Sequence, residues 1–180
     1  REMMGVREAN IVHKYAYNFV ESISYRDDIW RVYDEVSRIV SIIHNTKLNR
    51  ILQSPTTSKQ DKESFLRNLR QSEYRFVNDL IERLIQDENY DLVLPTLEDV
   101  LLKISKSQNE YDMVVTSFQA LTEQQKERIT AIAQERFSVK IHNVIEEIDK
   151  EILGGFIVNV NHRVIDTSVR TQLGDIRKKL

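Results

Sequence analysis

Three residues near the end of the chain have the side-chain types of a hydrolase triad: His162, Asp166 and Ser168. A nucleophilic serine needs a histidine base and an acid that orients it, and in α/β-hydrolases the serine lies in a Gly-x-Ser-x-Gly turn. The sequence contains no such turn, and all three residues fall in one short segment. Both observations count against catalysis, so a small hydrolase is kept only as a rival interpretation. It predicts turnover that Ser168→Ala abolishes.

The sequence predicts no metal or cofactor site. It has no cysteine, and its four histidines are far apart and form no His-x-x-x-His pair, so surface positions fit them better than zinc. An acidic cluster before residue 152 lacks the calcium-loop pattern and is interpreted as a solvated loop or strand end. The pair Gly154-Gly155 is no phosphate loop, because no Lys-Ser/Thr follows it.

The composition is that of an ordinary globular protein. Of 180 residues, 41% are hydrophobic and 30% charged, and the net charge of -2 gives no basic field for nucleic acid. No apolar run approaches the roughly 18 residues that span a bilayer. With only 4 Gly and 2 Pro, the chain is expected to be mostly helical.

The N-terminal part, residues 1–105, is predicted to be a six-helix bundle. Apolar residues recur there at three- and four-residue steps, which is the spacing of a helix with one buried face. Asn89 is a candidate left-handed cap after the fifth helix, and Pro95 suits the first turn of the sixth. The six helices are expected around residues 6–23, 29–43, 48–52, 65–69, 76–85 and 92–104.

Residues 106–110 are polar and are predicted to be a hinge, followed by a second domain at 111–180. Strands are expected at 111–118 and 139–145, joined by a helix that opens with the capping box Thr122 and Gln125. That helix presents an apolar face of Ile129, Ile132, Ala133 and Phe137. Strand-helix-strand units of this kind form parallel crossovers. The fold class is therefore α+β, a helical bundle followed by a small α+β domain.

The last segment reads as a hairpin and a closing helix. A β-branched run leads to Asn161-His162, a polar pair suited to a two-residue primed turn, and a second short strand follows. Ser168 is a candidate N-cap for a helix whose apolar positions follow helical spacing: Val169, Leu173, Ile176 and Leu180.

This segment resembles the signature of the delta subunit of F-type ATP synthase, also called the oligomycin-sensitivity-conferring protein (OSCP). The family shows an aliphatic residue before Gly-Gly, a strand, Val-Ile-Asp-Gly-Ser and a leucine-bearing helix. This chain differs at Asn161-His162, where Gly-Asp is usual, and at Thr167, where Gly is usual. Lys14-Tyr15-Ala16 also fits the family's first helix. The matching residues, taken as structural, are Leu153, Gly154, Gly155, Val164, Ile165, Asp166, Ser168, Val169 and Leu173.

The resemblance implies two binding regions. In the family, helices one and five form a groove for the N-terminal helix of one alpha subunit of the alpha–beta hexamer, and the C-terminal domain holds the b-subunit stalk. Val169, Leu173 and Ile176 are candidate stalk contacts, with domain core as the alternative. The groove positions, for which bundle core is likewise the alternative, are Tyr15, Asn18, Phe19, Leu80 and Leu84.

The implied function is that of a non-catalytic stator subunit. It would link the hexamer to the peripheral stalk, so that rotary torque is coupled to ATP synthesis by proton or sodium transport. As no transit peptide is evident, the cytoplasmic face of a bacterial plasma membrane is the expected location, although a processed organellar chain would look the same. An unrelated helical adaptor remains the other rival, and it predicts no affinity for the hexamer.

Overall fold

The computed structural model describes residues 4–169, which hold seven α-helices and four β-strands. The helices are α1 (Val6–Ile23), α2 (Ile29–Asn45), α3 (Leu48–Gln53), α4 (Lys59–Leu69), α5 (Arg75–Gln86), α6 (Val93–Gln108) and α7 (Glu123–Phe137). The strands are β1 (Glu110–Ser117), β2 (Lys140–Ile148), β3 (Phe156–Val160) and β4 (Arg163–Asp166). This order confirms the α+β class. The chain divides into two compact units, one ending at Ile104 and the other beginning at Ser105.

The first unit is a helical bundle around one hydrophobic core. Each predicted helix is present, because its apolar positions at three- and four-residue spacing all turn to the same side. Burying each large aliphatic side chain contributes roughly 1.5–3 kcal/mol. The largest fully buried side chains of this unit are Ile39, Ile43, Leu52, Leu66, Ile81, Leu84, Ile85, Leu94, Leu97 and Ile104.

The link from α5 to α6 differs from the prediction in one detail. The residue with left-handed backbone is Glu88, with φ 56°, whereas Asn89 has φ -95°. The amide of Glu88 donates to the Ile85 carbonyl at 3.0 Å and that of Asn89 to the Leu84 carbonyl at 2.9 Å, a Schellman motif whose left-handed position is Glu88. A 3-10 turn, Tyr90–Leu92, then leads into α6, whose first turn contains Pro95 as predicted.

The predicted hinge at residues 106–110 is wrong over its first three positions. Helix α6 continues to Gln108, Asn109 alone has a left-handed φ of 51°, and β1 begins at Glu110. Ser, Lys and Gln are compatible with a helix, so their polarity reported exposure to solvent and not the end of the helix. Asn109 ends it, and its side-chain amide donates to the Ser138 carbonyl at 2.9 Å.

The second unit is a four-stranded mixed sheet in the order β2-β1-β3-β4. Strands β1 and β2 are parallel, which confirms the predicted crossover through α7, and the remaining pairs are antiparallel. Ile129 and Ala133 of α7 are buried in one cluster with residues of one sheet face: Met113, Val115, Val158 and Val160. Ile132 was predicted for this helix face but is 47% exposed, because it lies about 100° around the helix from Ala133.

Two local predictions in this unit are confirmed. Thr122 accepts from the Gln125 amide at 3.1 Å while the Gln125 side chain accepts from the Thr122 amide at 2.9 Å, which is a complete capping box. At the hairpin, Asn161 and His162 have φ of 49° and 66°, the two positive values that a type I′ turn requires.

Candidate functional site: a groove between two helices of the bundle

A groove runs between α1 and α5 in the first unit. It consists of two adjoining cavities of about 330 and 350 Å³, both of which are lined by Tyr15, Asn18 and Arg83. We call this feature the α1–α5 groove. Its lining residues are Ile11, Lys14, Tyr15, Asn18, Phe19 and Ser22 from α1, Phe76, Asp79, Leu80 and Arg83 from α5, and Asp87 at the C-cap of α5.

The floor of the groove is apolar and its rims are polar. Phe19 and Leu80 are each 7% exposed, and the rings of Phe19 and Phe76 lie 5.9 Å apart at a tilted angle. Asn18 and Arg83 are exposed along the two rims. An apolar floor between polar rims is the arrangement that accepts one face of an amphipathic helix.

A hydrogen-bond network fixes Tyr15 in the middle of the groove. Its hydroxyl donates to Asp87 Oδ2 and accepts from Asn89 Nδ2 at 3.0 Å. Burial, and then the hydrogen bond to the Asp87 carboxylate, raise the pKa of the Tyr15 hydroxyl above its ordinary value of 10.0. The phenol therefore stays neutral at physiological pH, and the network ties α1 to the exit of α5.

Leu84, which the sequence assigned to the groove, does not line it. Its side chain is 0% exposed and belongs to the bundle core. Four residues along a helix correspond to a rotation of about 400°, so Leu84 is turned about 40° away from Leu80. That rotation is enough to direct Leu84 inward. The other four predicted residues, Tyr15, Asn18, Phe19 and Leu80, all line the groove.

Sequence reasoning missed several lining residues, among them Phe76, Asp79 and Arg83. All three lie on α5 within one turn of Leu80, so a helical projection centred on Leu80 would have found them. The apolar pattern hid the two charged residues, because charged positions on an amphipathic helix are normally assigned to solvent.

A larger cavity elsewhere on the bundle is a weaker candidate. It measures about 430 Å³ and is lined by charged residues, including Lys59 and Glu88. Lys59 Nζ and Glu88 Oε2 already form an ion pair at 2.9 Å. Two of the charged groups that line this cavity therefore already pair with each other, which leaves less charge to bind a partner.

The signature segment of the second unit forms a close backbone contact. Gly155 has φ 74°, and a Cβ at this position would lie 2.3 Å from the Thr167 carbonyl oxygen. The Val169 amide donates to the Gly154 carbonyl at 3.1 Å, and the Thr167 amide donates to the Phe156 carbonyl at 3.0 Å. The two glycines therefore let the chain after β4 approach the entry of β3.

The other signature residues are divided between the surface and the interior. Leu153, Val164 and Asp166 are exposed, Ile165 and Val169 are half-buried, and Ser168 is buried. Leu173 and Ile176, which were predicted for the closing helix, lie outside the described residues. The described part therefore tests no side chain of the predicted stalk contact except Val169.

The three residues of the hydrolase interpretation are not assembled as a triad. His162 precedes β4 and Asp166 ends it, which separates them by about 13 Å at 3.3 Å per residue. Asp166 Oδ1 accepts from the Ser168 backbone amide at 2.8 Å, and Ser168 is 2% exposed. This geometry gives no accessible serine beside a histidine.

Residues 4–169 hold neither a candidate metal site nor a candidate membrane span. No group of three or more histidine, aspartate and glutamate side chains there could hold a metal ion. Within the same range, no helix combines the length and the apolar character that crossing a membrane requires.

The second unit has a further surface on the sheet face opposite α7. By strand register, Ile145, Val114, Asn159 and Val164 form one row across all four strands of this face. Ile145 is 44% exposed and Val164 is 54% exposed. We call it the open sheet face, because within the described residues of the second unit α7 packs on the other one. The next row contains Glu147, Thr116, Ile157 and Asp166.

Comparison with known proteins agrees with this architecture. The model of the family described as ATP synthase delta (OSCP) subunit matches residues 11–180. ATP synthase subunit delta of Streptococcus equinus is 36% identical over 177 residues, covering 98% of this chain and 99% of that protein. The Streptococcus mutans protein of the same name is 34% identical over the same shares.

A solved structure shows the same fold. It is a chain of the Toxoplasma gondii mitochondrial ATP synthase hexamer determined by cryo-electron microscopy, with a TM-score of 0.64 and 18% identity. The match covers 93% of this chain and 96% of that one. The fold, the family model and the curated relatives agree over nearly the whole chain, which therefore belongs to the ATP synthase delta (OSCP) subunit family.

Proposed function

We propose that this chain is the non-catalytic stator subunit of an F-type ATP synthase, linking the alpha–beta hexamer to the peripheral b-subunit stalk. The observation that carries the proposal is the α1–α5 groove, an apolar floor left open in a chain that belongs to this family over its length. The role is mechanical, because a stator must keep the hexamer from turning with the rotor while rotation drives synthesis.

At the first unit, the groove binds the amphipathic N-terminal helix of an alpha subunit. Phe19, Phe76 and Leu80 supply the floor, and their remaining exposed surface is covered when the apolar face of that helix enters. The Tyr15 network holds α1 against the end of α5, so the groove is largely preformed and little ordering free energy is lost on binding.

The test of this half is a calorimetric titration of the full chain with a synthetic alpha-subunit N-terminal peptide. Asn18→Trp places a bulky ring on the groove rim, while Asn10→Trp makes the same change elsewhere on exposed α1. We expect saturable binding that Asn18→Trp weakens at least about tenfold, since the ring occupies the space of the bound helix. Asn10→Trp should bind within about twofold of the unchanged chain.

If neither the peptide nor the complete alpha–beta hexamer binds the unchanged chain, the stator proposal is wrong and the adaptor interpretation stands. Equal weakening by the two tryptophan variants would move the binding site away from the groove. Circular dichroism melting of both variants checks that the bundle remains folded.

At the second unit, we propose that the open sheet face holds the b-subunit stalk. Three of the four side chains in the row that crosses the sheet are aliphatic, Asn159 being the exception, and the next row adds the carboxylates of Glu147 and Asp166. This combination fits a stalk helix with an aliphatic stripe flanked by basic residues. It supplements the contact predicted at Val169, Leu173 and Ile176.

Two isoleucines of similar exposure provide a matched test of the stalk surface. Ile145 lies on the open sheet face at 44% exposure, and Ile132 lies on α7 at 47%. We expect Ile145→Lys to weaken binding of a soluble b-subunit fragment, measured by sedimentation, and Ile132→Lys to leave it unchanged. The reverse result would place the stalk on the α7 side.

The location follows from the same proposal. A subunit held by the hexamer and the stalk is a peripheral component of the complex, on the cytoplasmic face of a bacterial plasma membrane. The related streptococcal proteins support a bacterial source.

A further inference from the structure

The α5 wall of the groove carries two charged residues one helical turn apart, Asp79 and Arg83, and a third, Asp87, follows at the C-cap of the helix. Asp87 is engaged by the Tyr15 hydroxyl. Arg83 is exposed and lines both cavities. Within residues 4–169, Arg83 forms no ion pair, even though carboxylates stand four residues before and after it.

We propose that Arg83 is a specificity-determining residue of the groove, pairing with a carboxylate on the helix that binds there. This inference rests on the proposed function and names the chemistry by which the groove selects its partner. The partner is an amphipathic helix whose apolar anchors cover Phe19 and Leu80, with an acidic side chain beside them that reaches the α5 rim.

The position of Arg83 makes this contact unavoidable for an occupant of the groove. Because the residue borders both cavities, a helix that fills the groove must pass it. A guanidinium can bind a carboxylate through two parallel hydrogen bonds, which adds geometric specificity to the charge attraction. A basic side chain at that point would instead meet a like charge while water is being excluded, which weakens binding.

Asp79 sharpens the selection. It lies one turn from Arg83 on the same wall, at the end of the groove near Ser22 and Phe76. An acidic residue of the bound helix is attracted at Arg83 and repelled at Asp79. The pair therefore favours one register of the helix along the groove, since a shift of one turn exchanges attraction for repulsion.

The alternative interpretation is a solvated charge with no role beyond solubility. It predicts that Arg83 can be replaced without effect on binding. Arg83 contributes no ion pair to the described bundle, so we expect its replacement to leave the fold intact. A loss of binding in an Arg83 variant would therefore report on the groove and would distinguish the proposal from this alternative.

The experiment is a charge-swap cycle on the full chain. The protein variants are Arg83→Glu, Arg83→Gln and the control Arg50→Glu, which makes the same charge change on exposed α3 outside the groove. The probe is the alpha-subunit N-terminal peptide of the same synthase, with each acidic residue changed singly to lysine. Dissociation constants are measured by calorimetry at low and at physiological salt.

We expect Arg83→Glu to weaken binding of the unchanged peptide about tenfold or more, Arg83→Gln to weaken it less, and Arg50→Glu to change it less than about twofold. One acidic-to-lysine peptide should bind the unchanged protein poorly and regain at least half of the lost affinity with Arg83→Glu. The effect of Arg83→Glu should shrink as salt is raised.

Three results would overturn the inference. If Arg83→Glu and Arg50→Glu bind the peptide equally, Arg83 has no role in selection, and the proposed function stands. If Arg83→Glu weakens binding but no lysine peptide restores it, the residue acts through groove shape and not through a charge pair. If the unchanged protein binds neither peptide nor hexamer, the proposed function itself fails, and this inference fails with it.

Discussion

At the scale of single residues, Gly155 shows how the family signature acts through backbone geometry. Its left-handed φ of 74° is a conformation that side chains rarely adopt, and the Thr167 carbonyl occupies the space where a Cβ would stand. The signature thus preserves a close approach of two chain segments. The Thr167 hydroxyl also joins these two segments. It accepts from the Phe156 amide and donates to the Phe156 carbonyl, each at 3.1 Å.

We predict that Gly155→Ala lowers the free energy of unfolding of the second unit by about 2 kcal/mol or more, through strained backbone and the displaced Thr167 carbonyl. Amide hydrogen exchange of β3 and β4 measures the loss. Gly5→Ala is the matched control, since no atom lies within 4 Å of a Cβ there. A loss at Gly155 below about 0.5 kcal/mol would contradict this explanation.

At the scale of elements, the β3–β4 hairpin shows a turn whose type follows from its two residues. Asn161 tolerates positive φ well, whereas His162, with φ 66°, lies in a region that costs a side chain roughly 1–2 kcal/mol. The strands still close this way because the type I′ turn matches their twist. The side-chain amide oxygen of Asn159 also accepts from the His162 backbone amide at 3.1 Å.

We predict that His162→Gly stabilises the hairpin by about 0.5 kcal/mol, the relief of backbone strain less the greater freedom that glycine has in the unfolded chain. His162→Val should destabilise it by about 1 kcal/mol, because a β-branched residue tolerates this φ least. Exchange rates of the β3 amides report both changes. The opposite order of the two variants would show that the turn adopts another form.

At the scale of the whole molecule, carboxylates stabilise the fold above acidic pH. Glu82 is the clearest case: its Oε1 accepts from Gln86 Nε2 at 2.9 Å, and Arg70 Nη1 lies 3.0 Å from Oε2 as a charge contact without hydrogen-bond geometry. The Gln86 hydrogen bond, with Arg67 and Arg70, holds the pKa of Glu82 below its ordinary value of 4.5. Arg26 and Arg38 lower the pKa of Asp28 and Glu35 in the same way.

The sign of the pH dependence follows from these directions. A carboxyl whose pKa is lower in the folded chain binds fewer protons there, so its stabilisation is present above the unfolded value near 4.5 and is lost as the pH falls below it. We predict that Glu82→Gln reduces the difference in unfolding free energy between pH 7 and pH 3. Urea titrations followed by Trp30 fluorescence measure it. Glu21→Gln, an exposed carboxylate on α1, should leave the difference unchanged.

Much of this architecture could be predicted, and the failures have specific causes. The six helices, the parallel crossover, the capping box and the hairpin turn each depend on spacing within a few consecutive residues, which the sequence displays directly. The predicted hinge at 106–110 was wrong over residues 106–108 because polar composition indicates exposure to solvent, which is compatible with a helix. The predictions that Ile132 lies on the buried face of α7 and that Leu84 lines the groove were wrong for another reason. A rotation of tens of degrees separates the middle of a helix face from its edge, and apolar spacing does not resolve that difference.

The sequence by itself determined the elements, their order and the family, because periodicity, turn chemistry and the Gly-Gly and Val-Ile-Asp segments are properties of neighbouring residues. Only the tertiary structure decided which side chains line the groove, since that depends on how α1 and α5, separated by about fifty residues, lie beside each other. It also placed Asn89 against Tyr15 and left Arg83 without a partner in the described chain. The sequence pattern of an amphipathic helix does not distinguish a charged residue that faces solvent from one that lines a groove. That distinction depends on which other elements lie beside the helix.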